Sequence, residues 1–239
     1  QPLFAYSQLP RANIAADVLV TASSSQTVST TTPATNFYIG GKYVITENTA
    51  SRNVTGITIT ENGTVDGQTG LDNIKLYYDL DATAPYDCAR ETYVGGESQF
   101  GSTDTDGFSG PNETSTFTGT VAISTTSTMC LYTVLDTTSA ALHGETIDII
   151  FENPSVNLLV SGGASISPTI TRDITGSTTL VGAILTQTHY HWRTDNGSEA
   201  AATSLSGGIA DTAISNVAQT TPVRLRMQVS NEGTVTSPS

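Results

Sequence analysis

Arg52-Asn-Val-Thr-Gly-Ile-Thr-Ile-Thr60 alternates apolar and polar residues with period two, and Asn62-Gly63 follows it. Successive side chains on a strand point to opposite faces, so this pattern predicts a half-buried strand closed by a turn. The same signal recurs on both sides. Upstream lie Phe37-Tyr-Ile39, then Gly40-Gly41, then Tyr43-Val-Ile45. Downstream lie Ile74–Leu80, Phe117–Ile123, Met129–Leu135, Thr146–Phe151 and Asn157–Val160. No window holds a helical period; Thr138-Ser-Ala-Ala-Leu-His143 could form at most a turn. Short strands with Gly, Asn, Asp and Pro between them predict an all-β chain, an antiparallel β-sandwich of Ig-like or jelly-roll-like kind.

Composition agrees. Thr and Ser exceed a quarter of the 239 residues. Thr favours strands and Ser favours turns. Nine Lys and Arg stand against twenty-two Asp and Glu, for a net charge of -13. Nucleic acids and anionic membranes are bound through Lys/Arg clusters, so neither is an expected partner. Charged residues are only 13% of the chain, which leaves a surface of hydroxyls and amides, common in exported proteins. No stretch has the ~20 apolar residues of a membrane span, which argues against membrane insertion. Gln1 in place of Met reads as a processed N-terminus.

Cys88 and Cys130 are the only cysteines. In a Thr-rich, Lys-poor chain they predict one disulfide and an oxidising compartment. It would tether the Gly-, Ser- and Asp-rich excursion over residues 81–112 to the core. Residues 1–35 read as an extended N-terminal arm, with Val18-Leu19-Val20 as its apolar run. The large sandwich is expected over residues 36–165. Ser161-Gly-Gly-Ala-Ser-Ile-Ser-Pro168 marks the best boundary. Residues 169–239 read as an Ig-like terminal module. Its two apolar runs, Leu180–Trp192 and Val223-Arg-Leu-Arg-Met-Gln-Val229, are too few for an independent sandwich, which needs around seven strands. Such a fragment exposes an edge and half a core.

No catalytic constellation stands out. His189 and His191 share a strand face and could make half of a metal site, although a solvent-facing aromatic-rich strand explains them as well. Asp104-Thr-Asp106-Gly107 has oxygen ligands two apart before a glycine turn, a weak calcium pattern without the closing glutamate. The same pair has acidic side chains of the type used in glycoside hydrolysis, but nothing in the sequence fixes their separation. Asparagines in N-x-[ST] triplets are Asn53, Asn62, Asn112 and Asn196, candidates for glycosylation. Nine tyrosines and Trp192 could stack on sugars, although tyrosines spread over strands are commonly half-buried sheet residues.

The run Ile184-Leu-Thr-Gln-Thr-His-Tyr-His-Trp-Arg-Thr-Asp-Asn-Gly-Ser-Glu199, followed by Val223–Gly233, resembles a module of large bacterial secreted or surface proteins without an assigned activity. Their pattern is roughly T-Q-x-H-Y-R-W-R-N-D-D-G-S-E, then V-R-L-R-x-x-V-S-N-E-G. The chain departs from it at His191, Thr194 and Asn196. Lys75–Asp81, Cys88, Phe100–Phe108 and Met129–Tyr132 are similar to a preceding module of the same proteins. The resemblance implies secreted, Ig-like β repeats. It also implies that the terminal module continues beyond residue 239 in those proteins.

Together these features predict a secreted or cell-surface structural protein, not an enzyme, with no cofactor. The expected function is a subunit of a filament, pilus-like fibre or array whose partners are other copies of itself. Copies would join by β-strand complementation, with Val18, Leu19 and Val20 as candidates for the donated strand. The alternative is a monomeric adhesin or glycan-binding module.

Overall fold

The computed structural model describes residues 15–233. The chain is an antiparallel β-sandwich followed by a projecting hairpin. The first five strands are β1 (Val18–Gln26), β2 (Ser29–Thr31), β3 (Ala34–Tyr38), β4 (Gly40–Glu47) and β5 (Ser51–Glu61). Next come β6 (Leu71–Asp81), β7 (Ser98–Asp104), β8 (Thr114–Ser124) and β9 (Thr128–Thr137). Shorter elements follow: β10 (Thr146–Ile147), β11 (Ile149–Phe151), the single-turn α1 (Pro154–Asn157) and β12 (Leu158–Val160). β13 (Ile166–Ser167), β14 (Arg172–Asp173) and β15 (Thr178–Val181) complete the sandwich. The hairpin is β16 (Leu185–Thr194) and β17 (Val223–Asn231).

The first sheet runs β13-β1-β4-β9-β6-β7, with β3 continuing the β4 edge of β9. The second has β8 on one side of β5 and β11 and β12 on the other, with β14 beside β11. A small third sheet, β10-β15-β2, closes one end. Among the described strands β1–β13 and β2–β15 pair in parallel, and Ser25 forms a parallel bridge with Thr175. Val18, Val20, Tyr43, Ile45, Met129 and Leu131 of the first sheet meet Val54, Ile57, Ile59, Phe117 and Phe151 of the second, and all belong to one buried core. Burying such a side chain contributes roughly 1.5–3 kcal/mol. Opposite β12 a bulge between Val54 and Gly56 adds one residue to β5 and so keeps Val54 on the inward face with Ile57 and Ile59. At the corner between β3 and β4, Gly40 and Gly41 have φ of 88° and 65°. A Cβ on Gly41 would lie 2.1 Å from Ile174 Cγ2, so the corner admits no side chain.

β9 is buried on both faces. Its inward residues meet the second sheet. Its outward residues Cys130 and Tyr132 lie under the excursion that follows β6. The expected disulfide is present: Cys88 and Cys130 are joined, with Cα atoms 5.8 Å apart. Asp81 accepts the Cys88 N–H (2.9 Å), and Lys42 Nζ donates to the carbonyl of Cys88 (2.5 Å) and to that of Glu91. Tyr38, Tyr77, Tyr93 and Tyr132 cluster around it, with ring centroids 4.8–6.0 Å apart. The excursion is not one long loop, because β7 lies inside it and Phe100 enters the core.

Two expected boundaries are corrected. Val18–Val20 is not a free arm. β1 pairs with β4 and β13 of its own chain, and Val18 and Val20 are fully buried, so cis pairing already satisfies this strand. Residues 1–14 lie outside the described residues. The sandwich does not end at residue 165 either. Ile174, Thr178 and Leu180 are buried in it, and β13 to β15 pair with its strands. It spans Val18–Val181, and the terminal unit reduces to the hairpin and its connection.

Strand register defines two poles. Val18 lies opposite Glu47 and Ile166, and Asp17 bonds Ser165 at the same end. Arg52 approaches the buried Glu47 there (3.0 Å). Gln26 and Gly40 lie at the other end, near Thr32, whose N–H reaches the Val181 carbonyl (3.1 Å). The chain therefore enters the sandwich at one pole and leaves for the hairpin at the other.

The disulfide spans 42 positions, so the chain-entropy account gives about 4 kcal/mol of stabilisation. Cys88→Ser/Cys130→Ser should lower the unfolding free energy from urea titration by that amount, with far-UV circular dichroism of the folded chain unchanged.

Candidate functional site

The hairpin carries the most informative surface. A bulge between Gln187 and His189 inserts one residue into β16. It brings Leu185, Tyr190 and Trp192 to one face despite their odd spacing. Opposite them stand Val229, Met227 and Leu225, paired with Gln187, Tyr190 and Trp192. The other face holds His189, His191 and Arg193 beside Arg224, Arg226 and Gln228.

The connection over residues 195–222 folds over the polar face. His189 Nδ1 meets Asp211 Oδ2 at 2.5 Å, and His191 Nε2 meets Ser204 Oγ at 2.7 Å. Arg224 bonds Asp195 (2.8 Å) and Glu199 (3.2 Å), while Arg193 reaches Glu199 and the Ala202 carbonyl. The Arg224 and Arg193 guanidiniums hold the Glu199 carboxyl below its usual range. The same connection caps the outer edge of β16: the N–H groups of Leu205 and Asp211 donate to the carbonyls of Trp192 (3.0 Å) and Tyr190 (2.8 Å).

Among the described residues the apolar face receives no such cover. Leu185 is 60% exposed, Leu225 39%, Met227 54% and Val229 57%. Among the described residues β17 pairs only with β16, so its outer edge offers a row of backbone donors and acceptors. Natural edges are blunted by charges, prolines or bulges. β17 has none on this face: its arginines point to the other side, and its register is unbroken from Gln228 to Val223. An apolar strip beside an open edge is suited to receiving an extended chain.

The remaining predicted sites stay apart. Asp104 accepts Ser115 Oγ (2.6 Å) at the end of β7, and Asp106 is an exposed turn residue. No group of three or more His, Cys, Asp or Glu side chains placed to hold a metal occurs among the described residues. The four sequon asparagines are all exposed. Asn53 lies within β5, whereas the amides of Asn62 and Asn196 donate to Asp148 (3.3 Å) and the Ala201 carbonyl (2.7 Å). The Asn112 amide, oriented to suit its neighbours, donates to Glu61 Oε2 (3.2 Å) and the Gly63 carbonyl (3.0 Å).

Sequence reasoning passed over Glu61. Fully buried at the end of β5, it accepts the N–H groups of Gly63 (2.7 Å) and Asp148 (3.1 Å). Asp148 in turn accepts the Gln26 amide (2.7 Å), so these groups tie β1, β5 and the start of β11 together at the hairpin pole. Burial, helped by the Asp148 charge and opposed by the two N–H groups, pushes the Glu61 carboxyl up to about 7. A polar residue ending a strand gave no sequence signal for this.

No protein-family model matches the chain, and no curated protein matches it. The fold and the exposed hairpin therefore define it only as an all-β sandwich protein with one disulfide. No helix among the described residues is long and apolar enough to cross a membrane.

The folded Glu61 carboxyl holds its proton more tightly than the unfolded one. Its stabilisation is full below the ordinary glutamate range and lost as pH rises through about 7. The unfolding free energy from urea titrations should fall by on the order of 2 kcal/mol between about pH 5 and pH 8. Glu61→Gln, which keeps an acceptor oxygen for both N–H groups, should flatten that slope.

Proposed function

We propose that the chain is a structural subunit of an extracellular filament or array whose copies join by β-strand complementation at the hairpin. The observation that carries this reading is the β16–β17 pair, with its apolar face exposed and the outer edge of Val223–Val229 joined to no other described strand. A two-stranded ribbon is marginal alone and gains from a further strand. A head-to-tail contact that does not close produces a fibre. The hydroxyl-rich surface and the disulfide are compatible with an oxidising, extracellular setting. The resemblance to repeats of bacterial surface proteins points the same way.

A second reading, a monomeric adhesin or glycan-binding module, draws on Tyr38, Tyr77 and Tyr93, which are partly exposed beside one another over the disulfide. Aromatic faces of this kind suit sugar rings. Glycan-array binding that Tyr93→Ala abolishes would favour it.

Electron microscopy and sedimentation of the full chain test the first reading. Wild type should form filaments. Met227→Arg/Val229→Asp should stay monomeric and keep the stability of the sandwich within about 0.5 kcal/mol, because both positions are exposed outside it. Wild type that remains monomeric at every concentration tested would remove the filament reading.

A further inference from the structure

We propose that the polar face of the hairpin holds a binding site for a hydroxylated carboxylate the size of one sugar ring, the uronic acid residue of a glycan. The site lies on the face opposite the bare apolar one, and it does not depend on the assembly reading.

Strand register builds the site. His189 lies opposite Gln228, and His191 lies opposite Arg226. Cross-strand partners stand about 5 Å apart at Cβ, and the two pairs are about 7 Å apart along the strands. The four side chains therefore mark the corners of a rectangle on one face. Between them lies the pair Tyr190–Met227, whose side chains point to the other face and leave backbone as the floor. Ala210 of the connection completes the lining, and its methyl group is too small to fill the space. A cavity of about 300 Å³ results.

The corners carry polar groups that the fold does not use. His189 meets Asp211 through Nδ1 and His191 meets Ser204 through Nε2, so each ring keeps a second nitrogen without a partner among the described residues. Ser204 Oγ already accepts the N–H groups of Gly208 (2.7 Å) and Ser206 (3.1 Å). Its own proton therefore suits His191 Nε2, and the ring proton of His191 belongs on Nδ1. The Gln228 carboxamide has no partner among the described residues. Arg193 and Arg224 are closed by Glu199 and Asp195, whereas Arg226 meets Glu199 only at 3.8 Å and its side chain is 64% exposed. Neither Glu199 nor Asp211 lines the cavity.

These groups select the ligand. A guanidinium fork matches a carboxylate and gives charge-assisted hydrogen bonds. Carboxamide and imidazole both donate and accept, which suits hydroxyls beside that carboxylate better than a bare inorganic anion. The volume stands at the lower end of small-molecule sites, enough for one ring. Charge points to the same part of the chain. Residues 184–233 carry three arginines against four carboxylates, whereas residues 15–183 carry eighteen carboxylates with only five Lys and Arg. An acidic glycan therefore meets less repulsion at the hairpin than at the sandwich.

The test titrates the full chain with methyl glucuronide, methyl glucoside or sulfate at constant ionic strength. Nuclear magnetic resonance of the imidazole signals follows binding, with His143 at the root of the hairpin as internal reference. Methyl glucuronide should shift the His189 and His191 signals, leave His143 unmoved and bind with a Kd of about 1 mM, the affinity of roughly a dozen ligand atoms at ordinary efficiency. Methyl glucoside, which lacks the carboxylate, should bind about tenfold or more weakly, and so should the glucuronide to Arg226→Gln. Ala210→Leu fills the cavity without altering charge and should remove binding. Equal affinity for glucoside and glucuronide would overturn recognition of the carboxylate. Sulfate that shifts the same signals at the same concentration would overturn the sugar-acid assignment in favour of a simple anion site. Unmoved His189 and His191 signals, or wild-type affinity in Arg226→Gln, would overturn the site itself. Filaments that the glucuronide dissolves and that Arg226→Gln fails to form would overturn the glycan assignment and give the cavity to a carboxylate of a neighbouring copy.

Discussion

The need to cover both faces of β9 organises this molecule. The strand Thr128–Thr137 lies inside the first sheet, with β6 on one edge and β4 then β3 on the other. Nearly every residue of it is buried. The second sheet covers the inward side with Ile57, Ile59 and Phe117. The outward side would face solvent but for the excursion after β6, held down by Cys88, Lys42 and the tyrosine cluster. Lys42 illustrates the cost. Burial pulls its pKa down, and it remains satisfied because its ammonium is taken by carbonyls of the segment it fastens. Core and excursion are thus one packing problem solved twice, once by a sheet and once by a tethered loop.

Local pattern carried much of this fold in the sequence. β5, β6, β8 and β9 show as alternation because one face or both must be apolar over many residues. What escaped was nonlocal or small. β7 offers only Phe100 as a bulky apolar residue, so it reads as loop. Ser29–Thr31 and Arg172–Asp173 are too short and polar to show, and they become strands only because distant partners present edges. The parallel pairing of β1 with β13 joins residues far apart in sequence, so residues 15–35 looked like an arm. The same polar, Ser-rich run that suggests a linker is what an exposed strand face also requires.

The exposed hairpin was legible for the opposite reason. Val223–Val229 alternates cleanly, yet the sequence around it supplies too few strands to cover an apolar face. The structure adds the side on which that face lies. The connection spends its polar groups on His189, His191 and the arginines, and so covers the surface that water would have solvated readily. The cause lies in those side chains. Ser204, Asp211, Glu199 and Asp195 reach partners on the polar face, so the connection is drawn there and, among the described residues, Leu225, Met227 and Val229 stay bare. The bulge at Thr188 completes the asymmetry by turning Tyr190 and Trp192 to join them.

The two poles also set how the molecule bears force. A pull on residue 15 and on Val181, the two ends of the sandwich, acts nearly along the strands. At the entry pole it drags β1 lengthwise between β4 and β13, so the hydrogen bonds of both neighbours share the load instead of opening one after another. At the other pole β15 is drawn past β2 and β10 in the same sense. The stretch between Cys88 and Cys130 hangs beside this path and carries little tension. The sandwich is therefore built as a link loaded in shear, with its covalent tether reserved for holding the outer layer in place.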